Sequence, residues 1–397
     1  MIKPNPYRPG AGVAPMYLAG REETIEDVKQ ILASVSVGYA ARSVIYYGLR
    51  GVGKTVLLNS IEDMTDERDI PVEYMEIAER NNSFQEQLVL HVDKIIRKVS
   101  LAKQIEGYVK KALSVLKSFS ITYSAGANMI EIKSDVAIGK ADTGNLSNDM
   151  TEVFLALGKL LQAKGEGVVI CIDEIQYMRD NELEALMEAL HRVNQKGYPL
   201  VIFAAGLPKI AKIAGDVKSY AERLFQFVEI GSLSYEAARD ALVKPAELLS
   251  VTYTEEAVQS VLAETSGYPY FIQEYGKCIW DIYSGTDEIT GEMVKASKKH
   301  FITNLDESFF KVRHDRATQK ELSFMMSMVA CGQLPCSTGE VAERMGESMQ
   351  SISPLRAQLI HKGFIYAADR GRIDFTVPKF GDYLKRIHGD TDAQVKK

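Results

Sequence analysis

The chain has 397 residues, 46% of them hydrophobic and 25% charged, ordinary values for a globular protein long enough for two or three domains. Lys and Arg total 47 against 53 Asp and Glu, a net charge of −6, so there is no protein-wide basic field and any nucleic-acid contact must come from a local patch. There is no run of about eighteen apolar residues, so no membrane contact is expected, and four cysteines without C-x-x-C spacing (Cys171, Cys278, Cys331, Cys336) argue against zinc or a disulfide framework and suit a reducing cytoplasm.

Residues 1–16 carry several prolines and no apolar core, which predicts an extended arm on the folded body rather than a signal peptide. A polar–apolar helix over 22–32 precedes Ser43-Val44-Ile45-Tyr46-Tyr47, a β-branched and aromatic run that predicts a buried strand. Next comes Gly48-Leu49-Arg50-Gly51-Val52-Gly53-Lys54-Thr55, which fits G-x-x-x-x-G-K-[ST] in full and runs through Val56 into a helix. Alternation predicts a strand over 71–77, and helical spacing a helix over 83–99. Ser120-Ile121-Thr122-Tyr123 and Met129-Ile130-Glu131-Ile132 flank Ala125-Gly126-Ala127-Asn128, predicting a β-hairpin insertion at about 119–138. An amphipathic helix over 147–164 leads to the continuous apolar run 167–172, as expected of a strand buried on both faces, which ends in Asp173-Glu174. A helix (183–194), a buried strand (200–205), a helix (210–225) and a short strand (227–230) complete an α/β core over 17–231. Helical patterns at 255–263, 269–283 and 290–302 then predict a helical domain over 232–315 without strands.

The residue types in the octet have a chemical logic. Gly48, Gly51 and Gly53 let the backbone curl and aim N–H groups at phosphate oxygens; Lys54 offers a mobile charge for β- and γ-phosphates; Thr55 offers a hydroxyl for Mg²⁺. Asp173 at the tip of a neighbouring strand would hold Mg²⁺ through water, and Glu174 would orient and deprotonate an attacking water. The competing reading is that the Asp173-Glu174 pair only caps the following helix.

The pairing of GLRGVGKT with Asp173-Glu174 resembles the additional-strand P-loop ATPases. More narrowly, the chain looks like archaeal-type ATPases of the AAA+ and STAND border, relatives of archaeal origin-recognition ATPases, over nearly its whole length. Tyr17-Leu18-Ala19-Gly20-Arg21-Glu22-Glu23 resembles the segment that lies by adenine and ribose in that group, with Thr24 departing from its last acidic position. Gly267-Tyr268-Pro269 resembles the lid element whose proline touches the base, although Pro269 suits a helix first turn in any case. The resemblance implies ATP or ADP with Mg²⁺, and it makes Arg223 a candidate arginine finger toward a neighbouring subunit, with Arg192 a weaker one. A surface ion pair with Glu222 or a nearby acid accounts for Arg223 nearly as well. Two departures stand out: Ala204-Ala205-Gly206 replaces the sensor-1 polar residue, and Tyr268, Pro269, Tyr270 and Phe271 stand where a sensor-2 arginine begins the lid helix. Both favour a slow nucleotide switch over a fast motor, with Gln176 a candidate substitute sensor.

The last block, 316–388 before a tail at 389–397, reads as three helices and two short strands around Asp369-Arg370-Gly371, the order of a winged helix. Pro354 either starts the third helix, with Ser353 as N-cap, or bends it. Gln350, Ser351, Arg356, Gln358 and Lys362 are recognition-helix candidates, with Arg370 and Arg372 at the wing tip. Duplex DNA binding and packing or protein binding both fit this module. The expected whole is a three-layer P-loop NTPase core with a parallel sheet, a helical lid and a C-terminal winged helix. Its expected work is slow ATP hydrolysis driving a conformational switch, against two alternatives: an ATP-regulated DNA binder, and a STAND-type protein-interaction switch that captures its partner through the hairpin or the winged helix.

Overall fold

The structure is a computed structural model that describes residues 3–79, 84–100, 105–123, 132, 134–283 and 285–389. Two compact units form, one of residues 21–48 and 53–230, the other of the described residues within 1–20, 49–52 and 231–397.

The first unit is built on five parallel strands, β1 (Ser43–Tyr47), β2 (Val72–Glu76), β3 (Val168–Asp173), β4 (Leu200–Gly206) and β5 (Phe225–Glu229), in the order β2-β3-β4-β1-β5. β3 and β4 are buried along their whole length, which is why they read as unbroken apolar runs. Helices α1 (Glu22–Ser36), α2 (Lys54–Asp66), α3 (Phe84–Val99), α4 (Glu106–Tyr123), α5 (Leu146–Lys164), α6 (Asp180–Gln195), α7 (Lys209–Val217) and α8 (Ala221–Leu224) flank the sheet. On α5, Val153, Phe154, Leu157, Leu160 and Leu161 share one core with Ile170 and Ile172 of β3. Asn145 caps this helix by accepting the Asn148 N–H at 3.0 Å.

Two expectations fail here. Residues 120–123 are the end of α4, not a hairpin strand. Their local β preference yields to helical spacing, because Ala112, Val115, Leu116 and Phe119 bury one face and the Tyr123 hydroxyl donates to Asp149 Oδ2 at 2.7 Å. The turn at 125–128 and residues 129–131 lie outside the described residues. The helix expected over 210–225 is two helices, α7 and α8. Lys218 between them is extended and binds Glu184 at 2.8 Å and Glu188 at 2.7 Å on α6, so tertiary ion pairing breaks the helical run.

The second unit carries the helices Tyr235–Glu247, Glu255–Thr265, Pro269–Tyr283 and Gly291–Asn304. It is not strand-free: Thr252–Tyr253 and Glu288–Ile289 pair in parallel. The N-terminal arm runs along these helices. Tyr7 donates to the Leu242 carbonyl at 2.6 Å and packs edge-on to Trp280, and Gly276 leaves the room its ring needs. Toward the C-terminus, helices Gln319–Ala330, Thr338–Met345 and Met349–His361 precede strands Ile365–Asp369 and Arg372–Phe375, which pair with each other, the latter also pairing with Cys336–Ser337. Pro354 lies inside Met349–His361, whose N-cap is Ser348 rather than Ser353. A last helix, Phe380–His388, follows.

Candidate active site

β1 sits between β4 and β5, and the chain leaves it through Gly48, whose N–H donates to the Gly206 carbonyl at 3.1 Å. Gly51 (φ 83°) and Gly53 (φ 94°) are left-handed, a conformation that a Cβ disfavours. Gly53 is the N-cap of α2 and makes no side-chain cap bond, and no acid occupies the first turn. The first-turn amides and the positive end of the helix dipole are therefore matched to an anion. Lys54 opens α2, is 8% exposed, and donates Nζ–H to the Gly48 carbonyl at 3.0 Å, closing the ends of the loop. The loop tip, Leu49 to Val52, clusters with the second unit: the Tyr268 hydroxyl donates to the Arg50 carbonyl, and the Tyr270 N–H donates to the Gly51 carbonyl at 3.3 Å.

Thr55 on α2 and Asp173 at the end of β3 meet, the Thr55 hydroxyl donating to Asp173 Oδ2 at 2.7 Å. Sequence reasoning missed two neighbours from β2. Tyr74 donates to the same oxygen at 3.0 Å, and Glu76 pairs in register with Asp173. Burial, with Asp173 and then Glu174 nearby, raises the Glu76 carboxyl above its ordinary range; burial and Asp173 likewise raise the Tyr74 phenol. Crowded carboxylates beside a hydroxyl are the donor set a divalent cation takes. The alternation of Val72-Glu73-Tyr74-Met75-Glu76 placed Tyr74 and Glu76 on one face, but only the parallel register brings them to Asp173. Glu174 is left-handed at φ 53°, a strained position for a non-glycine residue. Its N–H donates to Asp173 Oδ1 at 2.7 Å, and Gln176 donates its amide N–H to Glu174 Oε2. Gln176 Oε1 accepts the Leu207 N–H at 2.9 Å, so the 5%-exposed Gln176 ties Glu174 to the end of β4. A Cβ on Gly206 would lie 2.8 Å from that same oxygen.

Residues 17–203 match the AAA ATPase domain family. That stretch, a little under half of the chain, is similar to an AAA ATPase domain. Its α/β core is that of a P-loop NTPase, and the family match supports an ATP-binding ATPase. Residues 307–384 match a family described only as a domain of unknown function. No curated protein sequence matches the chain. Among solved structures, the Walker-type ATPase PABY2304 of Pyrococcus abyssi aligns over 93% of this chain and 96% of its own, with 14% identity and a TM-score of 0.57, a likeness of fold. The Orc1 protein of Aeropyrum pernix in complex with DNA aligns over 96% and 95% at 16% identity and a TM-score of 0.46. The RuvB branch-migration motor of Thermotoga maritima aligns over 94% and 99% at 15% identity and 0.43.

Around the ATPase site the remaining candidates fall out unevenly. Val56 follows Thr55 in the first turn of α2. Gly20 is left-handed and packs where a Cβ would come 2.7 Å from Ala237, while Arg21 is the N-cap residue of α1, its pKa lowered by burial. Gly267 is left-handed against the Leu233 carbonyl and Pro269 opens its helix. Arg223 on α8 is exposed and, among the described residues, in no ion pair, so the pairing with Glu222 is not seen. Arg192 is exposed and donates to Gln195 at 2.5 Å. In the C-terminal region, Gln350, Ser351 and Gln358 are exposed. Lys362 is committed to Glu321 at 2.8 Å, Arg372 Nε donates to the Pro335 carbonyl at 3.1 Å, and Arg356 Nε is buried without a hydrogen-bond partner. Arg370 is exposed at the turn. Among the described residues, no helix is long and apolar enough to cross a membrane.

Proposed function

We propose that this ATPase hydrolyses ATP slowly and works as a nucleotide-dependent switch, its output carried by the lid helices and a C-terminal winged helix. One observation supports the switch: within one compact unit, the loop tip is held by Tyr268, whose hydroxyl donates to the Arg50 carbonyl, and by Tyr270, whose N–H donates to the Gly51 carbonyl. Whatever the phosphates do to the loop tip is felt directly by those two tyrosines. Lys54 and the α2 N-terminus would bind the phosphates. Thr55 and Asp173 would hold Mg²⁺, which neutralises phosphate charge when bound. Glu174, held by Gln176, would accept the proton of the attacking water. Slowness follows from the apolar Ala204-Ala205-Gly206 end of β4, which has no side chain to polarise the terminal phosphate.

The test is a pair of variants. Lys54→Ala is expected to weaken ATP binding, and Glu174→Gln to keep binding while losing turnover. Equal ATPase rates for Glu174→Gln and wild type would overturn the catalytic assignment. Assembly through Arg223 is a further part of this reading, supported by its exposure, and size-exclusion chromatography with ADP against a slowly hydrolysed ATP analogue checks it. A second reading, DNA binding through the winged helix, is favoured by the exposed Arg370 at the wing turn. A third, capture of a protein partner by that module, would give nucleotide-dependent complexes without a DNA shift.

A further inference from the structure

Composition and spacing argue against a disulfide framework, and all four cysteines carry free thiols. Two of them nevertheless meet. Cys331 is the C-cap of the helix Gln319–Ala330, and Cys336 begins the short strand Cys336–Ser337. The Cys336 thiol donates to the Cys331 sulfur, and the Cys331 thiol donates in turn to the Ser327 carbonyl at 3.2 Å. Four residues, Gly332 to Pro335, separate them, so the chain itself keeps the two sulfurs together at little entropic cost.

The two thiols differ in the way a reacting pair needs. Cys331 is partly exposed, at the foot of an exposed turn, Gly332 to Leu334. Cys336 is 2% exposed and stands opposite Ile373 in the antiparallel pairing. Burial, and after it Cys331, push the Cys336 thiol up, so it stays protonated and inert toward solutes at neutral pH. Gly332 is left-handed at φ 81°, and a Cβ there would meet nothing within 4 Å, so the turn has open space to move into as the sulfurs close from contact to bond. The other two cysteines are unlike this pair. Cys171 is fully buried in β3, and Cys278 is fully buried beside Glu274 and Asn304.

We infer that Cys331 and Cys336 form a modification site, a dithiol that hydrogen peroxide converts into an intramolecular disulfide. The Cys331 thiolate attacks one peroxide oxygen; the O–O bond breaks, Cys331 becomes a sulfenic acid, and the departing hydroxide takes up the proton that Cys331 gave. The Cys336 sulfur then attacks the Cys331 sulfur; the S–S bond forms, the S–O bond breaks, and the second hydroxide leaves as water with the Cys336 proton. Two thiols lose two electrons and two protons, and one peroxide becomes two waters. In a reducing compartment such a pair rests as thiols, and the disulfide marks an oxidising episode. This chemistry is independent of the nucleotide site. Its structural reach is the turn between the last two strands: Arg372 Nε donates to the Pro335 carbonyl at 3.1 Å, and the Thr338 N–H to the Gly371 carbonyl at 2.9 Å. Closing the disulfide fixes the segment on which both of those contacts rest.

The experiment treats the full chain with hydrogen peroxide, unfolds it in an alkylating agent, and measures intact and peptide masses. The expected result is loss of two hydrogens, two alkylated cysteines of the four, one cross-linked peptide joining Cys331 to Cys336, and return of all four thiols on reduction. Cys336→Ser should stop at a Cys331 sulfenic acid that dimedone traps, and Cys331→Ser should keep its remaining thiols. The wild-type measurement stands even if a variant does not fold. Four alkylated cysteines after peroxide, a Cys331 sulfinic acid without the cross-link, or a disulfide joining two chains overturns the inference.

Discussion

Replacing Gly206 by Ala tests whether Gln176 holds the proposed catalytic glutamate. The new Cβ would stand 2.8 Å from Gln176 Oε1, 3.0 Å from Ile175 Cγ2 and 3.4 Å from Ile210 Cγ2. Gly206 is not left-handed, so its backbone accepts alanine, and the atom best able to move is the end of the Gln176 side chain. Moving it breaks the 2.9 Å bond from the Leu207 N–H and pulls the amide away from Glu174. An unpaired buried N–H costs about 1–3 kcal/mol, visible as lower stability. The effect on rate is larger in kind: a reacting group displaced by roughly 1 Å loses about 10²-fold in turnover. Binding should survive, because the bond from Gly48 N–H to the Gly206 carbonyl is backbone to backbone. The assay is steady-state phosphate release beside equilibrium binding of a fluorescent ATP analogue. A Gly206→Ala protein that binds and turns over as wild type would refute the argument, since Glu174 would then need no hold from Gln176.

Three further outcomes are expected. Lys362→Ala leaves the fully buried Glu321 without its cation; a broken buried pair costs about 3–5 kcal/mol, reduced here to about 2–3 because Lys362 is 25% exposed, and denaturant unfolding reads it. Burial pushes the Glu321 carboxyl up, but Lys362 and Thr318 outweigh it and hold it below its ordinary value. That stabilisation is therefore full above the unfolded carboxyl pKa of about 4.3 and is lost as pH falls through the folded one, so wild type should lose its advantage over Lys362→Ala in acid. Gly51→Ala adds a left-handed penalty of about 1–2 kcal/mol and a Cβ 3.2 Å from Tyr270 Cβ, and it should weaken ATP binding about tenfold by calorimetry; unchanged affinity would mean that the loop tip does not shape the site. On the DNA reading, a duplex mobility shift weakens steeply with salt and is lost in Arg370→Ala, and no shift at low salt with either nucleotide would discard it.

What the sequence made legible was local. Gly51, Gly53, Lys54 and Thr55 follow a buried strand and open a helix within one turn of chain, so the pattern alone places them. Asp173 ends an apolar run for the same reason. Tyr74, Glu76 and Gln176 were hidden, or only guessed at, because their roles depend on which strands are neighbours and in what register. The first hairpin strand, 120–123, was misread because four residues with strand preference sit at the end of a longer helical face that only packing reveals. Lys362 was read as a DNA contact because exposure was assumed, whereas the buried Glu321, forty-one residues away in sequence, takes its charge.

The departure at the end of β4 need not be a simple loss. At the end of β4, the space that a Gly206 side chain would fill is used by Gln176, which reaches from the β3 side and grips Glu174. On the proposed reading, the polar report at this position has moved from one strand to its neighbour and acts on the base instead of on the phosphate. Such an arrangement positions Glu174 through one carboxylate oxygen, Oε2, on a left-handed backbone, and puts no polar group of β4 on the phosphate. Variants at Gln176 should therefore change the rate of hydrolysis and leave ATP affinity as in wild type, which turnover measured beside equilibrium binding would check.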